Sequence, residues 1–496
     1  GVNTRVRVLV EHADHDLPAL MFRGVIPPGP AYPQGYVQDK FVYPWSTEPR
    51  FNQALTMVMI NGSHDAGAVR ITANAMFRER RSRFQVDTDL VNAPLLADLR
   101  AQGIAAPFNT ESDASLSGRD NSSIATQDFR LDGAVLDGML LWLAGFEAYQ
   151  VRSNSAQTVT RTPTPANPST GIVSPTRIST DSVALFGSLI LRPGGGFELA
   201  AEGRHTWDDR TFRSRRLDLR TGQPIGGPAF VVDAASETTN FSYNLVGSYQ
   251  WAPGSLAFVK YGTGFRAGGF NSNLGDPRQP IPIPSAFDDE TASAIEAGLK
   301  LRVEQILTLG LGAYQSRVSN QIVSRENGCF LGSPVCPVLA TSFLDNAGRS
   351  RVRGVELDAT LRLESVTTTA VLTVGGSYQT GKITDGPFTG FELPQLPDWL
   401  MNANFNLRQR LDDRIALTAN VAFRAQWGGV QELGVQNFPF DDFQVVDARV
   451  GLDFGRVTAS FFVNNVFDTS FRLFKAAVTE RFNQPRLFGI QARVRY

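Results

Sequence analysis

Residues 415–427 read IALTANVAFRAQW. Ile415, Leu417, Ala419, Val421, Phe423, Ala425 and Trp427 take every second place, with Thr418, Asn420, Arg424 and Gln426 among the residues between them. A period of two puts the two sets on opposite faces of an extended strand, whereas a helix would need apolar spacings of three and four. The same alternation runs through 355–363, 399–408, 446–454 and 486–496. In 399–408, Trp399, Met401, Ala403, Phe405 and Leu407 oppose Asn402, Asn404, Asn406 and Arg408.

Strand length narrows the fold. Many of these segments run for about 10–13 residues, longer than the ~5–6 of a soluble strand and long enough to cross a bilayer at a tilt. Eighteen are expected, near 3–11, 52–60, 68–80, 121–132, 138–152, 180–192, 196–208, 239–251, 255–264, 289–301, 304–319, 352–363, 367–380, 398–409, 413–427, 442–453, 456–466 and 485–496. The connections alternate in length. Tight turns fall at 192–195, 252–254, 410–413 and 454–455, and Pro- and Gly-rich loops near 11–51, 82–120, 153–178, 209–238, 265–288, 320–350, 381–397, 428–441 and 467–484. Sorting of loops by parity belongs to a transmembrane barrel, with short turns at one rim and long loops at the other. The fold class expected is all-β, an antiparallel transmembrane β-barrel.

Composition agrees and excludes other classes. The 496 residues carry 47 Lys+Arg against 48 Asp+Glu, a net charge of -1, so neither a basic nucleic-acid surface nor an acidic tail stands out. The longest apolar runs, such as 54–60 and 139–146, fall far short of the ~20 residues a membrane helix needs. Four His and two Cys argue against a zinc or iron–sulfur centre. Gly1 opens the chain without an n-region or h-region, so no signal peptide is expected within it, and the chain reads as a mature form or a fragment.

The polar face carries Arg and acidic side chains of both signs, among them Arg70, Arg78, Glu296, Lys300, Asp447 and Arg449. Arg or Lys at mid-depth in lipid costs ~2–4 kcal/mol, so this face is expected to line the lumen. Trp142, Trp251, Phe454 and Tyr496 fall near the short-turn rim, and Trp399 and Trp427 flank long loops on the other. They are expected to form aromatic girdles at the two membrane interfaces, with ordinary packing anchors as the alternative.

Several stretches resemble one family. Residues 461–468, FFVNNVFD, with a last strand ending in aromatic Tyr496, resemble the C-terminal region of TonB-dependent outer-membrane receptors. Residues 261–271, YGTGFRAGGFN, are similar to that family's mid-barrel strand and loop, and 291–300 to the strand after it. Asn346-Ala347-Gly348 with 353–357, RGVEL, resembles a further recurrent segment, and 182–186 and Trp142 with Gly145 also fit. The resemblance covers about residue 68 to the end. It implies a 22-stranded barrel with an N-terminal plug, taking up iron-siderophores, cobalamin, haem or carbohydrates with energy from TonB. By that measure residues 1–496 would be barrel with the plug domain absent, and about 18 of a probable 22 strands present.

The resemblance further implies a Gram-negative outer-membrane location and a monomer. The partners expected are the TonB system through the missing plug, a small-molecule ligand such as an iron-siderophore, and lipopolysaccharide with outer-membrane lipid, but no nucleic acid. A passive porin and an outer-membrane barrel hydrolase stand as alternative functions.

Individual motifs add candidates. Gly262, Gly264, Gly268 and Gly269 would suit a phosphate loop only if a helix followed, and 271–284 is Pro- and Gly-rich, so they read as a strand end and turn. On that reading Arg266, Phe270 and Asn271 reach a ligand vestibule. Cys329 and Cys336, in an oxidising extracellular loop, are expected to form a disulfide. Glu11, His12, Asp14, His15 and Asp16 offer a metal cluster or a solvated loop. Residues 78–83, RERRSR, offer an anion-binding patch, an anionic-siderophore clamp or a solvated rim. No Gly-x-Ser-x-Gly or His-Glu-x-x-His motif occurs, and no catalytic residue, cofactor or metal is expected.

Overall fold

The computed structural model describes residues 3–18, 23–26, 36–37, 48–87, 115–160, 171–225, 231–271, 283–326, 342–431, 439–475 and 479–495. Among these described residues, eighteen long strands form one antiparallel meander: β1 (Thr4–Pro18), β2 (Arg50–Ala66), β3 (Val69–Asp87), β4 (Ser115–Val135), β5 (Leu140–Thr160), β6 (Gly171–Gly194), β7 (Phe197–Arg215), β8 (Val231–Ala252), β9 (Ser255–Arg266), β10 (Glu290–Val303), β11 (Leu307–Ser319), β12 (Arg349–Glu364), β13 (Thr368–Asp385), β14 (Trp399–Arg410), β15 (Ala416–Trp427), β16 (Phe443–Asp453), β17 (Val457–Asn464) and β18 (Leu487–Val494). Each expected strand has one counterpart. Every strand pairs with its successor in the chain, from Val8↔Ile60 on β1–β2 to Phe461↔Ile490 on β17–β18.

The connections sort strictly by parity. Eight short ones, of two to five residues, alternate with nine of 10 to 31. Left-handed backbone makes the tight turns: Gly67 (φ +75°) sits between β2 and β3, and Gly254 (φ +80°) between β8 and β9, a region glycine enters without steric cost.

The strands are longer than the sequence pattern predicts. β1 runs to Pro18 rather than residue 11, and β6 spans 24 residues. Parts of the expected loops at 82–120, 153–178 and 209–238 are therefore strand. Beyond the apolar belt both faces turn polar, as in Arg83↔Arg119 and Ser82↔Asp120. The alternation that marks a strand fades there while the ladder of backbone hydrogen bonds continues.

A soluble monomer of this size would expose ~18,000 Å², and this chain exposes 28,628 Å². The excess follows from a one-layer wall with two accessible faces. Val183, Leu185, Phe241, Leu245, Val355 and Phe461 are exposed on the outer face. At the height of this belt, charged side chains such as Glu147, Arg204, Arg408 and Asp453 take the alternate positions and point into the lumen. The end strands are the most open: Val6 is 65% exposed and Ile490 83%. Among the described residues no register joins β18 to β1, but their loops meet, since Arg23↔Glu480 and Gly24↔Thr479 pair.

Candidate ligand vestibule and lumen wall

The buried residues gather at the long-loop rim, on the inward face. Val323, Ala347, Ile383 and Leu393 form a small core, with Val352, Phe388 and Leu396 against it. Ile383 and Val352 are inward positions of β13 and β12, so the loops after β11 and β13 fold into the mouth. The Asn346-Ala347-Gly348 motif is the hinge of this packing. Asn346 Nδ2 donates to the Asp288 and Asn320 carbonyls at 3.1 and 2.9 Å. Gly348 (φ +98°) passes so close to the Asp385 carbonyl that a Cβ would stand 2.1 Å from it.

The β9–β10 loop folds inward too. Arg210 Nη1 donates to the Gly268 carbonyl at 2.9 Å, and Asp289 accepts from Thr238 Oγ1 at 3.0 Å and Gly268 N at 2.6 Å. The sequence-predicted vestibule residues take distinct places. Phe270 stacks on Phe212, with ring centroids 5.4 Å apart. Asn271 is buried and ties two loops, donating to the Pro284 and Leu344 carbonyls at 2.9 Å each and accepting from Leu344 N at 3.0 Å. Arg266, at the top of β9, is exposed on the inward-facing alternation. Arg210, Thr238 and Asp289, which hold the loop, were not legible as partners, because nothing in a sequence aligns positions 51 residues apart.

A third clasp closes the mouth near β16. Arg472 forms an ion pair with Asp441 and another with Glu480 at 3.3 Å. Burial alone would raise the Asp441 pKa, but the Arg472 hydrogen bonds and charge outweigh it and hold the carboxyl below its ordinary value. Arg472 is correspondingly raised, by the Asp441 hydrogen bond first.

Below the mouth the lumen wall is polar and largely self-paired. Glu147 meets Arg204 at 3.0 Å, Arg408 meets Asp453 at 2.6 Å, and Arg424 meets Asp447 at 4.0 Å. Asn61, Asn74 and Asp128 form a hydrogen-bonded ladder at 2.7 and 2.9 Å. A recess of about 400 Å³ on this wall is lined by Arg130, Glu147, Phe186, Glu202, Arg204 and Asn244.

Other candidates resolve differently. Strand β1 carries His12 and His15 on opposite faces, and His12 bonds Thr56 Oγ1 at 2.9 Å and Asp14 at 3.3 Å. Among the described residues no His, Cys, Asp and Glu group is arranged to hold a metal. The 78–83 run is strand, not one patch: Arg78 and Arg80 point inward, Arg81 and Arg83 outward, and Arg80 pairs with Asp120. Cys329, Cys336 and Tyr496 lie outside the described residues. Trp142, Trp251 and Phe454 are exposed or half-buried near short turns, and Trp399 faces Trp427 across β14–β15 at the other rim. Trp207, exposed near the long-loop rim, was missed, since no apolar alternation brackets it in 205–215.

Three solved structures share this architecture, each covering 99% of the chain. The ferric yersiniabactin uptake receptor FyuA from Yersinia pestis matches with a TM-score of 0.73 at 14% identity, over 68% of its own length. The ferric-catecholate import receptor Fiu from E. coli K12, in its closed form, matches at 0.70, 14% and 72%. The siderophore receptor PiuA from Acinetobacter baumannii matches at 0.68, 15% and 71%. At such identities the likeness is one of fold. The family description "TonB dependent receptor-like, beta-barrel" matches residues 14–466. With the meander, the loop parity and the inward-folded mouth, that match over most of its length places this chain in the TonB-dependent receptor-like β-barrel family.

Proposed function

We propose that residues 1–496 form one barrel domain in the outer membrane of a Gram-negative bacterium, and that it takes up a scarce ligand of the iron-siderophore type in a TonB-dependent manner. The observation that carries this reading is the inward folding of three long loops over a charged lumen, which makes a lined mouth rather than an open hole. The uptake and import receptors that share the fold support it. Arg266 is the vestibule side chain we assign to ligand, because it is exposed and inward-facing, while Phe270 and Asn271 hold the loops that frame it. Trp142, Trp251 and Phe454 on one rim, and Trp399 and Trp427 on the other, are assigned to the membrane interfaces. On this reading the protein moves a solute and breaks no bond in it.

The test is uptake of radiolabelled iron delivered by catecholate, hydroxamate and carboxylate siderophores in a strain lacking this gene. Loss of one class, restored by the gene only when TonB is intact, is the expected result. Unchanged uptake together with constitutive ion conductance by the purified protein would move the assignment to a passive porin. Release of fatty acid from outer-membrane lipid would move it to a hydrolase.

A further inference from the structure

Three of the chain's six methionines fall on one patch of the lumen wall. Met57 and Met59 lie on β2 and Met76 on β3. Asn61 Nδ2 donates to Asn74 Oδ1 at 2.7 Å, which fixes those two side chains on one face, and strand alternation carries the three methionines with them. Ile60 and Phe77 mark the opposite, outer face, where both are exposed. Met59 stands directly opposite Met76, and Met57 lies one inward place further toward the mouth, diagonal to Met76. All three are half-buried. Met139, at a short turn, and Met401, on the outer face of β14, are exposed elsewhere.

Side chains directly opposite on antiparallel strands have Cβ atoms ~5 Å apart, and diagonal ones ~7 Å. Each methionine sulfur reaches two bonds beyond its Cβ on a freely turning, unbranched chain. The three thioethers can therefore converge on one point above the wall. Leucine and isoleucine fill an apolar patch as well, as Leu9 opposite Met59 and Ile124 opposite Arg78 do on the neighbouring strands. Methionine adds a donor atom that they lack. The charges beside the patch offset one another, since Met57 has Glu11 opposite on β1 and Arg78 opposite on β3. Donor type, not net charge, then decides what the patch holds. Neutral thioethers are soft ligands and favour Cu(I), whereas hard cations take shells of oxygen.

We propose that Met57, Met59 and Met76 form a thioether site for a soft monovalent cation of the Cu(I) class. It faces the lumen on the mouth side of the Asn61–Asn74–Asp128 ladder. Each sulfur gives a lone pair and has no proton to lose, so the site is loaded in mild acid as at neutral pH. A site built on His behaves otherwise, because imidazole must be neutral to bind a metal. The inference goes beyond the uptake reading and does not rest on it, since binding is read without transport.

The test uses the full chain purified in detergent, with Ag(I) as an air-stable probe of the same class and Cu(I) held reduced by ascorbate. Stoichiometry is read by native mass spectrometry, and the neighbours of the metal by X-ray absorption. Wild type is expected to bind one ion through sulfur, equally at about pH 5 and about pH 7, the range over which His titrates, and to keep it against excess Zn(II) and Mg(II). The double variant Met59→Leu, Met76→Leu, a volume-conserving change, is expected to lose affinity by at least tenfold, since even a partner behind a metal ligand is worth ~10–100-fold. Its folding is checked by heat-dependent migration on gels, and the single variant Met76→Leu, with a partial loss, serves should the double variant not fold. Cys329→Ser with Cys336→Ser, and likewise Met21→Leu, Met139→Leu and Met401→Leu, are expected to bind as wild type does. No ion retained, equal binding by the Met59→Leu, Met76→Leu variant, or loss of binding at the lower pH or on removal of the cysteines would each overturn the proposal.

Discussion

Phe186 and Gly145 face each other across β5–β6 on the lumen side with no room for a side chain between them. A Cβ on Gly145 would stand 2.6 Å from Phe186 Cζ and 2.6 Å from the Phe129 carbonyl oxygen. The ring also carries two guanidinium groups, Arg130 and Arg204, each 5.7 Å from its centroid. The glycine lets an aromatic ring lie flat on the wall and so fixes the cations around it.

Gly145→Ala should therefore destabilise the barrel by ~1–3 kcal/mol, the cost of overpacking, seen as a lower midpoint of thermal unfolding in detergent. Gly312→Ala, at a site where a Cβ meets nothing within 4 Å, is the matched control and should shift stability by no more than ~0.5 kcal/mol. Equal effects would mean that Phe186 does not rest on Gly145.

The Asp441–Arg472 clasp gives the mouth a pH dependence. The Asp441 carboxyl is held below its ordinary value in the folded loop. A depressed folded pKa stabilises above the unfolded value and loses that contribution as pH falls through the folded one. The loop carrying Arg472 should therefore resist protease from neutral pH down to the ordinary carboxylate range, and become cleavable in stronger acid. Asp441→Asn should be cleavable at neutral pH and show little further change with acid.

The strand count and loop parity were readable because a wall between hydrocarbon and water imposes a period of two wherever its faces differ. The signal fades where they do not. In β4 beyond Ser123 both faces are polar, and the strand continues to Ser115. The mouth was legible only in part. The Asn-Ala-Gly and Asn-Asn-Val-Phe-Asp motifs mark conformational needs: Asn465 takes φ +55°, and its amide donates to Thr469 O at 2.9 Å and Gln484 O at 3.3 Å. What each motif touches is set by loops far off in sequence, so Asn271 read as a ligand contact when its amide is engaged by Pro284 and Leu344.

Asn271 and Arg266 should thus part ways on mutation. Asn271 is 7% exposed, and Asn271→Ala strands the groups it serves, at ~1–3 kcal/mol for each buried partner left unsatisfied. Hydrogen exchange of 342–348 should accelerate. Arg266→Ala removes an exposed side chain and should leave exchange and unfolding unchanged while weakening ligand binding. An Arg266→Ala barrel that binds its siderophore as wild type does removes that residue from the vestibule.

Trp399 and Trp427 are cross-strand partners, and Tyr378 lies 4.5 Å from the Trp399 ring. Trp142 and Trp251 sit near the opposite rim. Indole combines an apolar body with an N–H donor and settles at headgroup depth. In barrels carrying one tryptophan each, lipids brominated near the glycerol should quench all four strongly, and lipids brominated at the chain ends should quench them weakly. Trp207, exposed on the outer face of β7, should follow Trp399, because both lie toward the long-loop rim. Strong quenching of Trp399 by chain-end bromine would put the rim inside the hydrocarbon. A Trp399 untouched by any brominated lipid would mean that the face bearing it does not meet the membrane.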